Sequence, residues 1–318
     1  MEKIYLVLSA LAALILLYLL WCLAEPFFLV SDKAVLKKSN KINNNDINIK
    51  KLPLIPEGAA NDPDFRFFFF SDIHAEWCPA TAKRVCESIR RMQKQAPLDA
   101  VIFGGDLISS SSMAAKGYKY LNEVSECCKD LGIPFYGVIG NHDAKLTDPA
   151  ASSGYVSLDG EVIPLISPRT GRSASLAGIP DSGTRKREWP PMPQCDANKP
   201  VILVAHDPDA LIHIEPELRP DFMLAGHLHG GQMKFPFRIE FHLLRSKDQL
   251  PKKGVVQGVY DINGTVMFIS RGLGCGVMPF RFLSVPEVIL FGQSYINKKL
   301  KRRLIRDASI NQFLKVSY

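Results

Sequence analysis

The chain has 318 residues, 47% hydrophobic and 22% charged, and Lys plus Arg exceed Asp plus Glu by 39 to 32 for a net charge of +7. Such a composition excludes a disordered chain and fits one large globular domain or two small ones. The basic excess is modest: it suits acidic partners such as phosphorylated substrates or anionic lipid, and it gives no reason to expect a nucleic-acid partner.

Ile4 to Leu23 is an apolar run without a charged residue. At about 1.5 Å per residue it is long enough to cross a hydrocarbon core of about 30 Å. The run exceeds the roughly 7–15 residues of a signal-peptide core, and the only charged side chains before it are Lys3 and Glu2, so an uncleaved anchor over residues 1–30 is favoured over a cleaved signal peptide. Lys33, Lys37, Lys38 and Lys41 follow the run closely. The positive-inside rule then expects a single-pass protein of the inner (cytoplasmic) membrane with the large C-terminal part in the cytoplasm. The seven cysteines show no zinc spacing, and the adjacent Cys127 and Cys128 suit reduced thiols better than a disulfide framework. Residues 31–64 are Lys- and Asn-rich and read as a solvated linker, stiffened near its end by Pro53 and Pro56.

The globular part is expected over residues 65–295. Phe65–Phe70 is short and almost wholly apolar, as for a strand buried on both faces. It ends in Asp72 and His74, a carboxylate and an imidazole two residues apart that can bind one metal ion. A helix is expected over Pro79–Gln95, with Pro at its start and apolar spacing at Ala82, Val85, Cys86, Ile89 and Met92. Ala100–Phe103 is the next buried strand, and Gly104 and Gly105 after it let the backbone pass close to whatever Asp106 contacts. A second helix over about Met113–Leu131 leads to a strand over Phe135–Ile139. That strand ends in Gly140-Asn141-His142-Asp143, where Asn141 offers a neutral carbonyl ligand, His142 a general acid, and Asp143 a carboxylate to hold the His142 ring in one tautomer.

The pattern weakens between Thr147 and Asn198, with short β-like runs at Val162–Ile166 and Ser175–Ala177 and a basic loop at Arg185–Arg187. Val201–Ala205 is a strand ending in His206. Phe222–Ala225 is another, followed by Gly226-His227-Leu228-His229-Gly230-Gly231-Gln232, where glycines release the backbone and let both rings approach one centre or two adjacent ones. Gly254–Ile262 and Thr265–Ser270 read as a hairpin turned at Asn263-Gly264. The tail over residues 296–318 is basic and amphipathic, with anionic lipid as one partner for it.

Each fragment alone is weak, but every one follows a strand-like run, and ligands at the carboxyl ends of successive strands converge in open α/β sheets. Oxygen and imidazole donors without thiolate suit Mn, Fe or Zn more than Ca. In this order the fragments resemble the calcineurin-like metallophosphoesterases, whose pattern is D-x-H, G-D, G-N-H-[DE], H and G-H-x-H. The resemblance implies an α/β fold of two mixed β-sheets packed as a sandwich flanked by helices, here preceded by one transmembrane helix. It implies two divalent metal ions, manganese first, with Fe, Zn or Mg as alternatives. Asp72, His74 and His229 would hold one ion, Asn141, His206 and His227 the other, and Asp106 would bridge. His142 would be the catalytic histidine and Asp143 its orienting partner.

Within that family the G-H-x-H-G-G-Q form and the later Ser270-Arg271-Gly272-Leu273-Gly274 segment look like the membrane-associated YaeI/YkuE-type phosphodiesterases, with Leu228 where that group commonly has Thr. The anchor, the apolar segment Met233–Leu244 and the basic tail also resemble the architecture of the LpxG-type UDP-2,3-diacylglucosamine diphosphatase of lipid A synthesis. That implies a phosphorylated, lipid-linked substrate. A broader phosphodiesterase acting on lipid or wall phosphodiesters is the second expectation. A non-catalytic scaffold of the same fold is the third, disfavoured because every motif residue is present. The sequence fixes no oligomeric state.

Overall fold

The computed structural model describes residues 2–41, 47–53, 63–181, 189–243, 245 and 247–294. The basic tail and the Arg185–Arg187 loop lie outside them.

The first element, α1 (Glu2–Ala24), is the apolar run, and its side chains are exposed along nearly its whole length. Two sheets follow. The first is six-stranded, in the order β1 (Val30–Lys37), β13 (Glu287–Ser294), β3 (Phe65–Phe70), β4 (Ala100–Phe103), β5 (Phe135–Gly137) and β6 (Val156–Ser157). The second is seven-stranded, in the order β2 (Ile49–Leu52), β11 (Gly258–Ile262), β12 (Thr265–Ile269), β10 (Phe222–Ala225), β9 (Val201–Ala205), β8 (Ser173–Ile179) and β7 (Val162–Ile166). Both are mixed. β3, β4, β5 and β6 run parallel, as do β8, β9, β10 and β12, while β13 is antiparallel to β3 and β11 to β12.

The phenylalanine run of β3 accounts for the layering. Phe65, Phe67 and Phe69 point between the sheets and pack with Leu176, Val204, Leu224, Phe268 and Phe291. Phe68 and Phe70 point the other way, beneath α2 (Ala82–Gln95) and α3 (Ala114–Asp130). Successive side chains of a strand alternate faces, so a strand covered on both must be apolar throughout. α2 offers Val85, Ile89 and Met92 at helical spacing, and Thr81 caps its start by accepting a bond from the Arg84 N–H. Cys127 and Cys128 lie in the buried face of α3, and all seven cysteines are free thiols. The outer face of the second sheet is covered by short turns and by α4 (Ile239–Leu243), which contributes Phe241.

The expectation of a solvated linker over residues 31–64 is corrected. Val30–Lys37 pairs in parallel with β13 on the edge of the first sheet, and Ile49–Leu52 pairs with β11 on the edge of the second. Val35 and Leu36 are buried. The composition misleads because both are edge strands. One face of such a strand can carry lysines to water while its backbone still completes a ladder, and edge lysines discourage pairing with other chains. The expected hairpin forms, with Asn263 and Gly264 both at positive φ, 51° and 88°.

Candidate metal centre

The sequence-predicted ligands meet at one end of the sandwich, on the loops leaving β3, β4, β5, β9 and β10. The backbone there is strained to aim them. Asp72, His74, Asp106, His227 and His229 have φ of 52°, 40°, 59°, 70° and 50°, in the left-handed region that non-glycine residues rarely occupy and that clusters at functional sites. Cross-loop backbone bonds hold these conformations: Asp72 N donates to Gly105 O at 2.8 Å, His74 N to Asp106 O at 3.2 Å, and Gly226 N to His206 O at 3.0 Å. Leu273 and Gly274, from the Ser270–Gly274 segment, donate to Ser71 O and Asp72 O at 3.0 and 2.8 Å. Two glycines let the loops close. A Cβ on Gly140 would fall 2.2 Å from Asp106 Oδ1, and one on Gly226 would fall 2.5 Å from Asp72 Oδ2.

Two groups of buried ligand atoms result, Asp72 with His74 and His229, and Asp106 with His206 and His227; within each, the atoms lie within 4.8 Å of one another. The groups share a wall. Asp106 Oδ2 is 3.1 Å from His206 Nε2 and 3.6 Å from His74 Nε2, which belongs to the other group. Asn141 lines the same cavity, and its buried Oδ1 accepts no hydrogen bond among the described residues. A buried amide oxygen without a donor is costly unless a cation takes that place, so this donor set fits a pair of cations.

Hydrogen bonds set the imidazole tautomers. Ser109 Oγ donates to Gly276 O at 3.0 Å, so it must accept from His74 Nδ1, at 2.9 Å. His206 Nδ1 likewise donates to Gly104 O at 2.7 Å. Each ring therefore turns Nε2 to the site, with a main-chain or hydroxyl partner fixing its orientation as in metal-ligating histidines. His74 Nε2 and His229 Nε2 lie 3.0 Å apart, close enough for one cation to take both as ligands.

The electrostatics divide the two groups. Burial, then the neighbouring His142 and His206 against the opposing pull of Asp106, brings His74 down to about 4. Burial, with His74 and Arg281 beside it, also holds His229 well below the ordinary imidazole range. Burial opposes the charge on His206 as well, but Asp106 and Asp72 outweigh it and hold that ring well above its ordinary value. Reciprocally, burial is outweighed at Asp106 by His206 and His74, which keep this carboxyl low. Asp72 is raised, chiefly by burial.

His142 lines the cavity, and its ring centroid is 5.2 Å from that of His74. Its Nδ1 donates to Ser109 O at 3.1 Å, leaving Nε2 for a ligand. The expectation that Asp143 orients this ring is corrected. Asp143 Oδ1 accepts from Leu107 N at 2.9 Å and Oδ2 from Gly140 N at 3.0 Å, so the carboxylate ties two loops together and Ser109 does the orienting. Burial, reinforced by Asp106, pushes Asp143 up to about 7.

Other residues around the site carry no sequence motif. Glu76 gathers the Ser109 and Ser110 N–H groups at 2.8–3.0 Å, fixing the loop that holds His74 and His142. Asp207 Oδ2 is 3.8 Å from His227 Nε2. Arg281, fully buried, donates to Arg271 O and Ser284 O at 2.8 and 2.7 Å and to Gly274 O, and its guanidinium is 3.5 Å from His229 Nδ1. Ser284 Oγ donates to His229 O at 2.5 Å. Above the ligands opens a cavity of about 800 Å³, walled by Phe235, Phe241, Val277, Met278 and Phe280 with Arg245 and Lys247.

Residues 65–231 match the model of the calcineurin-like phosphoesterases. The chain is 26% identical to the metallophosphoesterase YkuE of Bacillus subtilis, over 76% of this chain and 82% of the relative. It is 28% identical to the phosphodiesterase YaeI of Escherichia coli, over 72% and 82%. A transmembrane protein with a metallophosphoesterase domain from Danio rerio is 26% identical over 78% of this chain and 56% of its own length. The chain belongs to the calcineurin-like phosphoesterase family, whose members are metal-dependent hydrolases.

Proposed function

We propose that this phosphoesterase is anchored in the inner membrane by α1, with its catalytic part in the cytoplasm, and hydrolyses the diphosphate of UDP-2,3-diacylglucosamine to UMP and diacylglucosamine 1-phosphate. The observation that carries the reading is the meeting of two ligand groups across Asp106, beneath an apolar-walled cavity whose rim touches the end of α1. α1 and the turn after it are long and apolar enough to cross a membrane, with a mean hydropathy of 2.7.

Asp72, His74 and His229 would hold one divalent cation and Asn141, His206 and His227 a second, with Asp106 shared between them. Oxygen donors mixed with imidazoles favour manganese, with iron, zinc or magnesium as substitutes. Such a pair supplies polarised phosphoryl oxygens and a water of lowered pKa. The chain's own contribution at the reacting phosphorus is His142. With Nδ1–H engaged by Ser109 O, it stabilises or protonates the leaving oxygen from Nε2. Arg245 and Lys247 suit the diphosphate charge, and the aromatic and aliphatic walls suit the base or the start of the acyl chains. Burying the lipid chains in the bilayer would leave the scissile diphosphate at the surface.

The test is an assay of purified full-length protein with manganese, comparing UDP-2,3-diacylglucosamine with a generic aryl phosphodiester. UMP release from the first at the higher kcat/KM is the expected result. Turnover of the aryl ester alone would replace this reading with that of a broader phosphodiesterase, in line with the name of the E. coli relative, the phosphodiesterase YaeI.

A further inference from the structure

We infer that the exposed apolar side chains around the cavity mouth form a collar seated in the same membrane leaflet as the base of α1, so that the catalytic cavity opens onto lipid. This rests on α1 being an anchor, and not on the identity of the substrate.

The first observation is that α1 is joined rigidly to the rim. Glu25 is fully buried, and its carboxylate accepts from Trp21 Nε1 and Leu283 N, both at 2.8 Å, and from Ser284 N. Arg281 N donates to Cys22 O at 3.0 Å, and the Tyr18 and Phe282 rings meet at 4.9 Å. A buried carboxylate saturated with N–H donors is expensive to break, so the helix cannot swing as a tether would. Ser284, which donates to Glu25 from its N–H, donates to His229 O from its hydroxyl. The base of α1 is thus one residue from the metal centre.

The second observation is what stands beside that joint. The segment 277–283 begins at the cavity lip and ends at Glu25. The segment 232–243 is tied to it, since Gln232 Nε2 donates to Met278 O and Phe280 O at 2.9 and 3.1 Å, and Lys234 N to Phe282 O at 3.2 Å. From these two segments Phe237 projects 90% exposed, Val277 88% and Leu243 75%, with Leu283 and Ile239 also exposed. Large apolar residues gathered in one exposed patch mark an interaction surface. Its continuity with the bare apolar side of α1 selects the bilayer as the occupant. Lys234 and Arg238 belong to the segment 232–243, and Arg245 and Lys247 line the cavity beside it, as suits anionic headgroups.

The test uses the full chain in nanodiscs of phosphatidylcholine and phosphatidylglycerol, with one cysteine added at a time by Phe237→Cys, Val277→Cys and, as a remote control, Lys129→Cys, and with the parent chain, whose Cys78 and Cys195 are partly exposed, labelled in parallel and subtracted as background. Each is labelled with bimane, and the discs carry acyl chains with or without bromine. Loss of fluorescence in brominated discs is expected at positions 237 and 277 and not at 129. Glu25→Ala, which strips the acceptor from the Leu283 and Ser284 N–H groups, should lower the quenching at position 277 while the chain still floats with the discs. Glu25→Gln, which keeps an acceptor oxygen, should retain more of it. Unquenched labels at 237 and 277 in a chain that floats with the discs would overturn the collar and leave the anchor standing. Emission shifted to the blue without bromine quenching would overturn it in favour of a second copy or another protein on this surface. A chain that fails to float would overturn the anchor and the collar together.

Discussion

The floor and the mouth of the cavity are built on opposite principles. The floor is polar, buried and strained: five residues at positive φ, their backbones bonded across loops, aim carboxylates and imidazoles at a volume a few ångströms wide. The mouth is apolar and exposed, made of two loops that share backbone bonds and leave Phe237, Val277 and Leu243 uncovered. Chemistry needs preorganised charge, which only a rigid scaffold maintains. Access to an insoluble substrate needs a surface that a bilayer will wet. The difference teaches that a substitution in the floor should be felt with every substrate, and one in the mouth only where lipid is involved.

The largest expected effect is at the residue both ligand groups share. Asp106→Ala should abolish hydrolysis of soluble and lipid-linked esters alike and strip metal from both groups, whereas Asp72→Ala should deplete one group first. Elemental analysis of purified variants measures this, and an Asp106→Ala protein that retained its full metal complement would remove the bridging assignment. Next comes His142→Ala, which should keep its metals and lose about 10²–10⁴-fold in kcat. A turnover within a few-fold of the parent would take His142 out of the chemistry.

Asp143 sharpens the boundary between floor chemistry and floor scaffolding. Because it holds the Leu107 and Gly140 N–H groups, Asp143→Asn replaces one acceptor with a donor facing an N–H and should cost about 1–3 kcal/mol of stability, read in a denaturant melt. Its kcat should fall less than that of His142→Ala. Equal losses would restore Asp143 to the role of orienting the histidine. The smallest effect is expected at the mouth. Phe237→Ser with Leu243→Ser should leave stability within about 0.5 kcal/mol and kcat/KM for a soluble aryl phosphodiester unchanged, while lowering turnover of a bilayer-embedded substrate. Equal losses on both substrates would erase the distinction between the two regions.

Much of the floor was legible in the sequence because each of its parts is local. A strand buried on both faces announces itself as an unbroken apolar run, and the residues after it are confined to its carboxyl end, so Asp72, Asp106, Asn141, His206, His227 and His229 needed only the parallel strands of two packed sheets to end on one side. Asp143 was misjudged because adjacency in sequence says nothing about which way a carboxylate turns inside a loop. Ser109, Glu76 and Ser284 were missed for a different reason. Ser109 orients two imidazoles, and Glu76 and Ser284 support main chain, each from another loop, and no spacing encodes that. Glu25 was hidden most completely. It stands 258 and 259 residues from Leu283 and Ser284, and a single acid after an apolar helix resembles any solvated end. The two edge strands within 31–64 were lost to their own lysines, which face water while the backbone pairs.

The pairing of Val30–Lys37 with Glu287–Ser294 bears on how the protein is made. Among the described residues, the first strand in chain order runs beside the last, with Val30 opposite Glu287, and the last also separates it from β3. At about 5–20 residues per second, tens of seconds of synthesis pass with the β3 edge of the phenylalanine-rich sheet uncovered. Throughout that interval α1 is already available to the membrane. If α1 inserts as proposed, insertion would precede closure of the domain, and each nascent chain would be held at the bilayer surface, apart from its neighbours, while the β3 edge waits for its partner.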